Sequence, residues 1–321
     1  MIQRIVILTI LLGLCGCNAA QVEAPKEPTA YLFSYFLDNG QNGLHLAWSE
    51  DGLTWTALKQ GQSFLAPKVG GKLMRDPCIC TGPDGQFHMV WTSSWQDRGI
   101  GVAHSKDLLN WSDQAFVPVM GHEPTAHNCW APEIYYDPQE KEYIIYWSTT
   151  IPGRFPETEA AQGDRAGKTF LNHRIYCTTT QDFKTYTKTR LFYDDNFNVI
   201  DATIVKDNNQ YLLFVKDETK SPKAQKNIRL AMGKKAQGPY GPASPPITPK
   251  GLWVEGPTVL KIEDSWFLFY DAYTEHHYAG LKSTDLKTWE EVTDQLHFPK
   301  GTRHGTAFEV PVSVLEKLKG R

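Results

Sequence analysis

Three acidic residues occupy similar settings in this 321-residue chain: Asp76 in Arg75-Asp76-Pro77, Asp201 in Ile200-Asp201-Ala202, and Glu255 in Val254-Glu255-Gly256. Each opens an apolar run of strand-forming residues, so each carboxylate is expected where a strand begins. Two or three carboxylates facing one small volume suit cleavage of a glycosidic bond, in which one protonates the leaving oxygen while another activates water or attacks the sugar. Singly, each has a plainer reading: an Asp before Pro suits a turn, and a Glu before Gly-Pro a solvated loop end. The case for chemistry rests on recurrence at equivalent places, and that requires a repeat.

The repeat is present. Ser49-Glu50-Asp51-Gly52-Leu53-Thr54-Trp55, the segments Ser105 to Trp111 and Thr180 to Tyr186, and the segment Ser283 to Trp289 share the form Ser/Thr-x-Asp-x-x-x-aromatic, with a degenerate copy at Gly238-Pro239-Tyr240. The aromatic markers recur at roughly 50 to 55 residues with one gap of about 75, near the ~40 to 50 residues of a four-stranded propeller blade. Between markers lie short runs rich in β-branched and aromatic residues, Phe87 to Trp91, Tyr143 to Trp147, Tyr211 to Val215 and Trp266 to Tyr270, each preceded by a turn cluster such as Gly82-Pro83-Asp84-Gly85. These are expected strands, and the strands upstream of the turns are expected to begin at Asp76, Ala131, Asp201 and Glu255.

A fifth such strand, His304 to Val310, appears only near the C-terminus, while the pair Tyr31 to Phe36 and Leu44 to Ser49 opens the chain without an inner strand. Joining them closes a five-bladed, all-β propeller and removes two exposed sheet edges. The domain is expected to span 30–321. A hydrophobic content of 41% can bury a large core, and a net charge of −3 supplies no basic field for nucleic acid.

Residues 1–16 read as an export signal: Arg4, then the apolar run Ile5 to Leu14, too short to span a bilayer. Leu14-Cys15-Gly16-Cys17 is similar to a bacterial lipobox, which implies lipidation of Cys17, a polar tether over 17–29 and an exported, outer-membrane lipoprotein on the periplasmic or cell-surface side. An ordinary signal peptide cut elsewhere is the alternative. Of the remaining cysteines, Cys78 and Cys80 lie two apart on one strand and face the same way, so buried free thiols are favoured over a bridge for these two, Cys129 and Cys177.

The ordered set Arg75-Asp76-Pro77, Trp130-Ala131-Pro132-Glu133, Ile200-Asp201-Ala202, Val254-Glu255-Gly256-Pro257 and Arg303-His304-Gly305 resembles glycoside hydrolase family 43, five-bladed arabinofuranosidases, xylosidases and arabinanases, from Tyr31 to Val314. Two departures are Glu133, where members often carry Asp, and Ala202, where they often carry Pro. The resemblance implies single-displacement inversion with Asp76 as general base and Glu255 as general acid. It casts Asp201 as the ionised neighbour whose charge keeps Glu255 protonated near neutral pH. It implies substrate contacts from Arg303 and Glu133, and a His304 beneath the site that holds a water or calcium ion in some members; a hydrogen-bonded core histidine is the alternative. No cofactor is required.

Trp95 and Trp130 fall on the same face, as sugar-stacking planes or as packing between blades, with Arg75 and Arg174 as further substrate-binding candidates. The insertion Ile151 to Asn172 is expected to cover that face and favour chain-end cleavage. His122 and His127 are five apart with Pro124 between them, which excludes a zinc-protease helix, and Gly99-Ile100-Gly101 lacks a dinucleotide fingerprint. The expected activity is exo-acting hydrolysis of terminal sugars in plant or algal polysaccharides: α-L-arabinofuranosidase first, then β-xylosidase or β-D-galactofuranosidase. The alternatives are another carbohydrate-active propeller (anhydrogalactosidase or glycoside phosphorylase) and a non-catalytic glycan-binding lipoprotein. The expected partners are an oligo- or polysaccharide and, through the lipid anchor alone, a membrane, with the chain acting as a monomer.

Overall fold

The computed structural model describes residues 28–159, 165–166 and 169–320. The signal segment, Cys17 and most of the tether lie outside the described residues. Among those described, no helix is long and apolar enough to cross a membrane.

Five antiparallel sheets radiate as the blades of a propeller. Blade I contains Arg75–Thr81, Phe87–Thr92, Ile100–Ser105 and Ala115–Val117, from the axis outward. Blade II contains Trp130–Asp137, Glu142–Thr150, His173–Thr180 and Arg190–Tyr193. Blade III contains Val199–Asp207, Gln210–Asp217 and Asn227–Gly233, its outer strand reduced to a bridge between Gly233 and Tyr240. This matches the degenerate marker there. Blade IV contains Glu255–Ile262, Ser265–Ala272, His277–Ser283 and Glu290–Glu291. Blade V takes its inner strand, Arg303–Pro311, from the C-terminal part and its other strands, Thr29–Phe36, His45–Ser49 and Thr56–Ala57, from the N-terminal part. Thr29 already pairs with Pro311, so blade V begins within the last residue assigned to the tether.

The core is five slabs, one between each neighbouring pair of blades. Because successive residues of a strand face opposite sides, a strand covered on both faces must be apolar throughout. Leu32 and Leu46 of blade V pack towards blade I, whereas Phe33 and Ala47 pack towards blade IV. The same alternation sends Tyr143, Ile145 and Trp147 to one slab and Ile144 and Tyr146 to the next. A short helix, Val312–Leu318, follows the closing strand and adds Leu315 and Leu318 to the slab between blades V and I.

The Ser/Thr-x-Asp repeats close the turn from third to outer strand, on the face opposite the strand starts. Ser49 Oγ accepts the Gly52 N–H at 2.8 Å, and Asp51 Oδ1 accepts those of Leu53 at 2.8 Å and Thr54 at 2.9 Å. The bonds recur at Asp107, Asp182 and Asp285, where the third residue after the Ser or Thr is left-handed: Leu108 (φ 61), Phe183 (φ 55) and Leu286 (φ 59). Cys78, Cys80, Cys129 and Cys177 are free thiols.

Candidate active site

Each inner strand carries one extra residue near its start. The register runs Arg75↔Thr92 then Cys78↔Val90, Trp130↔Ser148 then Glu133↔Tyr146, Ile200↔Lys216 then Thr203↔Phe214, and Glu255↔Asp271 then Thr258↔Phe269. Blade V repeats the shift between Arg303 and Thr306. The bulge holds Asp76, Ala131, Asp201 and Gly256 at φ 50, 44, 49 and 60. Bulges of this kind re-aim side chains, and strained backbone of this kind persists only where its surroundings over-determine it. Here the neighbouring blade does so. The Ala131 N–H is accepted by Thr92 Oγ1 (2.8 Å), that of Asp201 by Ser148 Oγ (3.2 Å) and that of Gly256 by Asp201 Oδ2 (2.9 Å).

The bulges therefore form a ring of Asp76, Ala131, Asp201, Gly256 and His304 about the axis, and the residues before them form a second ring of Arg75, Trp130, Ile200, Glu255 and Arg303. This corrects the expectation of three equivalent carboxylates. Asp76 and Asp201 are equivalent, while Glu255 stands one residue earlier, because Pro257 aligns with Pro77 and Pro132 and leaves Gly256 at the bulge. A Cβ on Gly256 would lie 2.4 Å from His304 Cγ, so the glycine makes room for the imidazole.

Asp76, Asp201, Glu255, Arg75, Trp95, Trp130, Arg303 and His304 line one pocket of about 380 Å³. Thr92 Oγ1 donates to Asp76 Oδ2 at 2.7 Å, and His304 Nδ1 lies 3.4 Å from Asp76 Oδ1 and 3.9 Å from Asp201 Oδ2. Glu255 is gripped from both sides, by Arg303 at 3.0 Å and Lys216 at 3.3 Å, and Arg303 also binds Asp271 at 2.6 Å. The Arg75 guanidinium lies over the Trp95 ring at 4.2 Å, and Asn39 Oδ1 accepts from both Arg75 (3.1 Å) and Trp95 Nε1 (3.0 Å). Trp130 lines the pocket and also packs: it meets Trp95 edge-on at 5.5 Å and His173 at 5.0 Å.

Two candidates lie elsewhere. Glu133, three residues beyond Trp130, faces a separate cavity of about 250 Å³ further along the axis, with Cys78, Thr203, Thr258 and Thr306 at the matching positions of the other blades. It accepts from Tyr146 Oη at 3.1 Å. Arg174 is fully buried in blade II, paired with Asp194 and donating to Asn172 Oδ1 (3.0 Å), the His173 carbonyl (2.8 Å) and Thr158 Oγ1 (2.9 Å). It braces the root of the insertion.

Over residues 27–316 the chain matches the family model described as "Probable glycosyl hydrolase domain", which is related to glycoside hydrolase family 43. It belongs to this family. The α-L-arabinofuranosidase of Bifidobacterium longum subsp. longum is 24% identical over an alignment covering 88% of this chain and 33% of the relative, so the chain spans about a third of that protein's length. An α-L-arabinofuranosidase from Lactobacillus brevis shares the fold with a TM-score of 0.52 at 19% identity, covering 68% of this chain and 72% of the other. An exo-β-1,3-galactanase from Clostridium thermocellum does so with a TM-score of 0.51 at 12% identity, covering 70% and 50%.

The electrostatics of this glycosyl hydrolase domain depart from expectation in one respect. Burial pushes the Glu255 carboxyl up, but Lys216, Arg303 and His304 outweigh it and leave the group below its ordinary value. Asp201 is the raised acid, at about 6, because burial and the charges of Glu255 and Asp76 exceed the pull of His304 and Lys216. The site thus favours the ionised form of Glu255, where a protonated Glu255 was expected. Burial lowers His304, but Asp201, Asp76, Glu133 and Glu255 outweigh it and raise the imidazole above its ordinary value. Burial pushes Glu133 to about 7.

The calcium expected near His304 is without support: among the described residues no cluster of three His, Cys, Asp or Glu is placed to hold a metal.

Sequence reasoning missed Lys216, Glu218, Asn39 and Trp253. Lys216 lies at the end of the second strand of blade III and Glu218 just beyond it, and Trp253 stands two residues before Glu255. The rule that places Trp95 at the site, the end of a second strand, also selects Lys216.

Proposed function

We propose that this domain is an inverting, exo-acting glycosidase, with α-L-arabinofuranosides as first substrate and β-xylosides or β-D-galactofuranosides next. The observation that carries the reading is the convergence of Asp76, Asp201 and Glu255 on one pocket, with His304 set between the two aspartates. The similarity to a protein named as an α-L-arabinofuranosidase supports the choice of sugar.

In this mechanism Asp76, oriented by Thr92, takes the proton of the water that attacks the anomeric carbon. Glu255 gives a proton to the leaving oxygen. A sugar in the pocket displaces water from Glu255 and competes for the Arg303 donor; both effects raise the carboxyl so that it can carry that proton. Asp201, bonded to the Gly256 N–H, keeps negative charge near the acid and opposes Lys216. Arg75 and Trp95, tied through Asn39, wall the pocket, which supports chain-end action.

Lys216 and Arg303 are both engaged by Glu255, so neither offers a ready seat for phosphate, and hydrolysis is favoured over phosphorolysis. The test is turnover of aryl α-L-arabinofuranoside, β-D-xyloside and β-D-galactofuranoside in phosphate-free buffer, with the product anomer followed by NMR. Release of the inverted sugar, abolished by both Asp76→Ala and Glu255→Ala, is expected. A retained anomer would overturn the single-displacement reading. Activity surviving both substitutions would overturn the site.

A further inference from the structure

A second cavity, of about 500 Å³, adjoins the catalytic pocket and shares Trp95, Trp130, Glu218 and Glu255 with it, but Asp76, Arg303 and His304 line only the first. Glu255 thus stands where the two volumes meet. The second has aromatic walls from Trp130, Trp253 and Tyr273, with Leu171 at the end of the insertion. Its polar group is an ordered cluster: Glu218 is held by Lys216 at 2.6 Å and Lys226 at 2.5 Å, both lysines buried, with Lys216 4.8 Å over the Tyr273 ring and Lys226 5.6 Å over that of Trp253.

We infer that this cavity is the leaving-group subsite, built for a pyranose ring. The inference rests on the acid role proposed for Glu255. An acid must reach the bridging oxygen, which fixes that oxygen at the junction of the cavities. The sugar being released then fills the pocket with Asp76, and the sugar left behind fills the other. Broad aromatic faces beside a fixed carboxylate–ammonium cluster suit a ring with one apolar C–H face and a rim of hydroxyls. A buried acid–lysine cluster cannot turn away from such hydroxyls, which gives direction to the contact. The substrate class is therefore a terminal sugar on a pyranose backbone, with the first backbone ring recognised as well as the sugar removed.

The test compares two substrates in the intact chain: α-L-arabinofuranosyl fluoride, whose leaving group occupies no subsite, and an arabinofuranosyl-substituted xylo-oligosaccharide. Trp253→Ala and Tyr273→Ala are expected to lower the ratio of kcat/KM for oligosaccharide over fluoride by about tenfold or more, mainly through KM, with Trp253→Phe recovering most of the loss. An unchanged ratio in both alanine variants would overturn the subsite while leaving the catalytic reading in place. Turnover of neither substrate by the unsubstituted chain, nor of the matching xylosyl and galactofuranosyl pairs, would overturn that reading and this inference with it.

Discussion

Glu255 presents the sharpest chemical question at the level of single residues, because the group asked to deliver a proton is held ionised by Arg303 and Lys216. If Lys216 sets the acid's working range, removing its charge must weaken the carboxylate form and raise the carboxyl's pKa. Lys216→Met is therefore expected to move the basic limb of the kcat/KM profile to higher pH by roughly 1 to 2 units; Lys226 still pairs with Glu218 in this variant. A limb that moves downward or stays in place would show that Lys216 does not tune the acid. The two catalytic roles separate by leaving group. Glu255→Gln keeps the shape but carries no acidic proton, so turnover should fall by ~10² to 10⁴ on a sugar leaving group and far less on a fluoride. Asp76→Asn removes the proposed base, and turnover should fall comparably on both. Steady-state kinetics of the two variants on the two substrates checks this, and equal losses for Glu255→Gln on both would remove its acid role.

The element that makes the site is the bulge opening each inner strand, which sets the left-handed residues Asp76, Ala131, Asp201 and Gly256 around His304. Gly256→Ala tests it. The left-handed conformation costs a non-glycine residue about 1 to 2 kcal/mol, and the added Cβ would also press into His304 at 2.4 Å. Gly251→Ala is the matched control: Gly251 is left-handed too, at φ 89, but nothing lies within 4 Å of its added Cβ. Thermal unfolding should show a larger drop for Gly256→Ala than for Gly251→Ala, and hydrolysis should be lost only in the former. Similar drops with activity kept in both would mean that His304 and its ring tolerate displacement. The bulge also marks how far the sequence can be read. Strands and blade count are legible because second strands are apolar on both faces, as in Tyr143 to Trp147, and because the Ser/Thr-x-Asp turns recur. Asp76 and Asp201 are legible as equivalent residues at the starts of inner strands, though not as bulges. Glu255 is legible as an acid of the site but not in its register, since a strand start read from hydrophobic pattern cannot resolve a one-residue offset; the prolines at 77, 132 and 257 do. Glu133 misleads because it follows the same proline pattern, yet alternation along the strand carries it past the pocket into the axial cavity. Lys216 and Glu218 stay hidden because a charged residue at a strand end ordinarily reads as solvated.

At the scale of the whole molecule, closure of the ring and assembly of the site are one event. The strand Arg303–Pro311 pairs with Thr29–Phe36, and it also brings Arg303 to Glu255 and His304 between Asp76 and Asp201. Without it, the strand Thr29–Phe36 would be an unpaired edge, and the slabs on either side of blade V would lose Phe308, Val310 and Ala307. A chain ending at Lys300 is therefore expected to lose activity, unfold at lower temperature and self-associate through the bared edge. A synthetic peptide covering residues 301–320 should restore part of the activity by adding the missing strand in register, and the same peptide with His304→Ala should restore the thermal transition without activity. Gel filtration, thermal unfolding and hydrolysis of the aryl glycoside read these outcomes together. A truncated chain that stays monomeric and active would show that four blades suffice to hold the carboxylates, and would break the link between closure and catalysis.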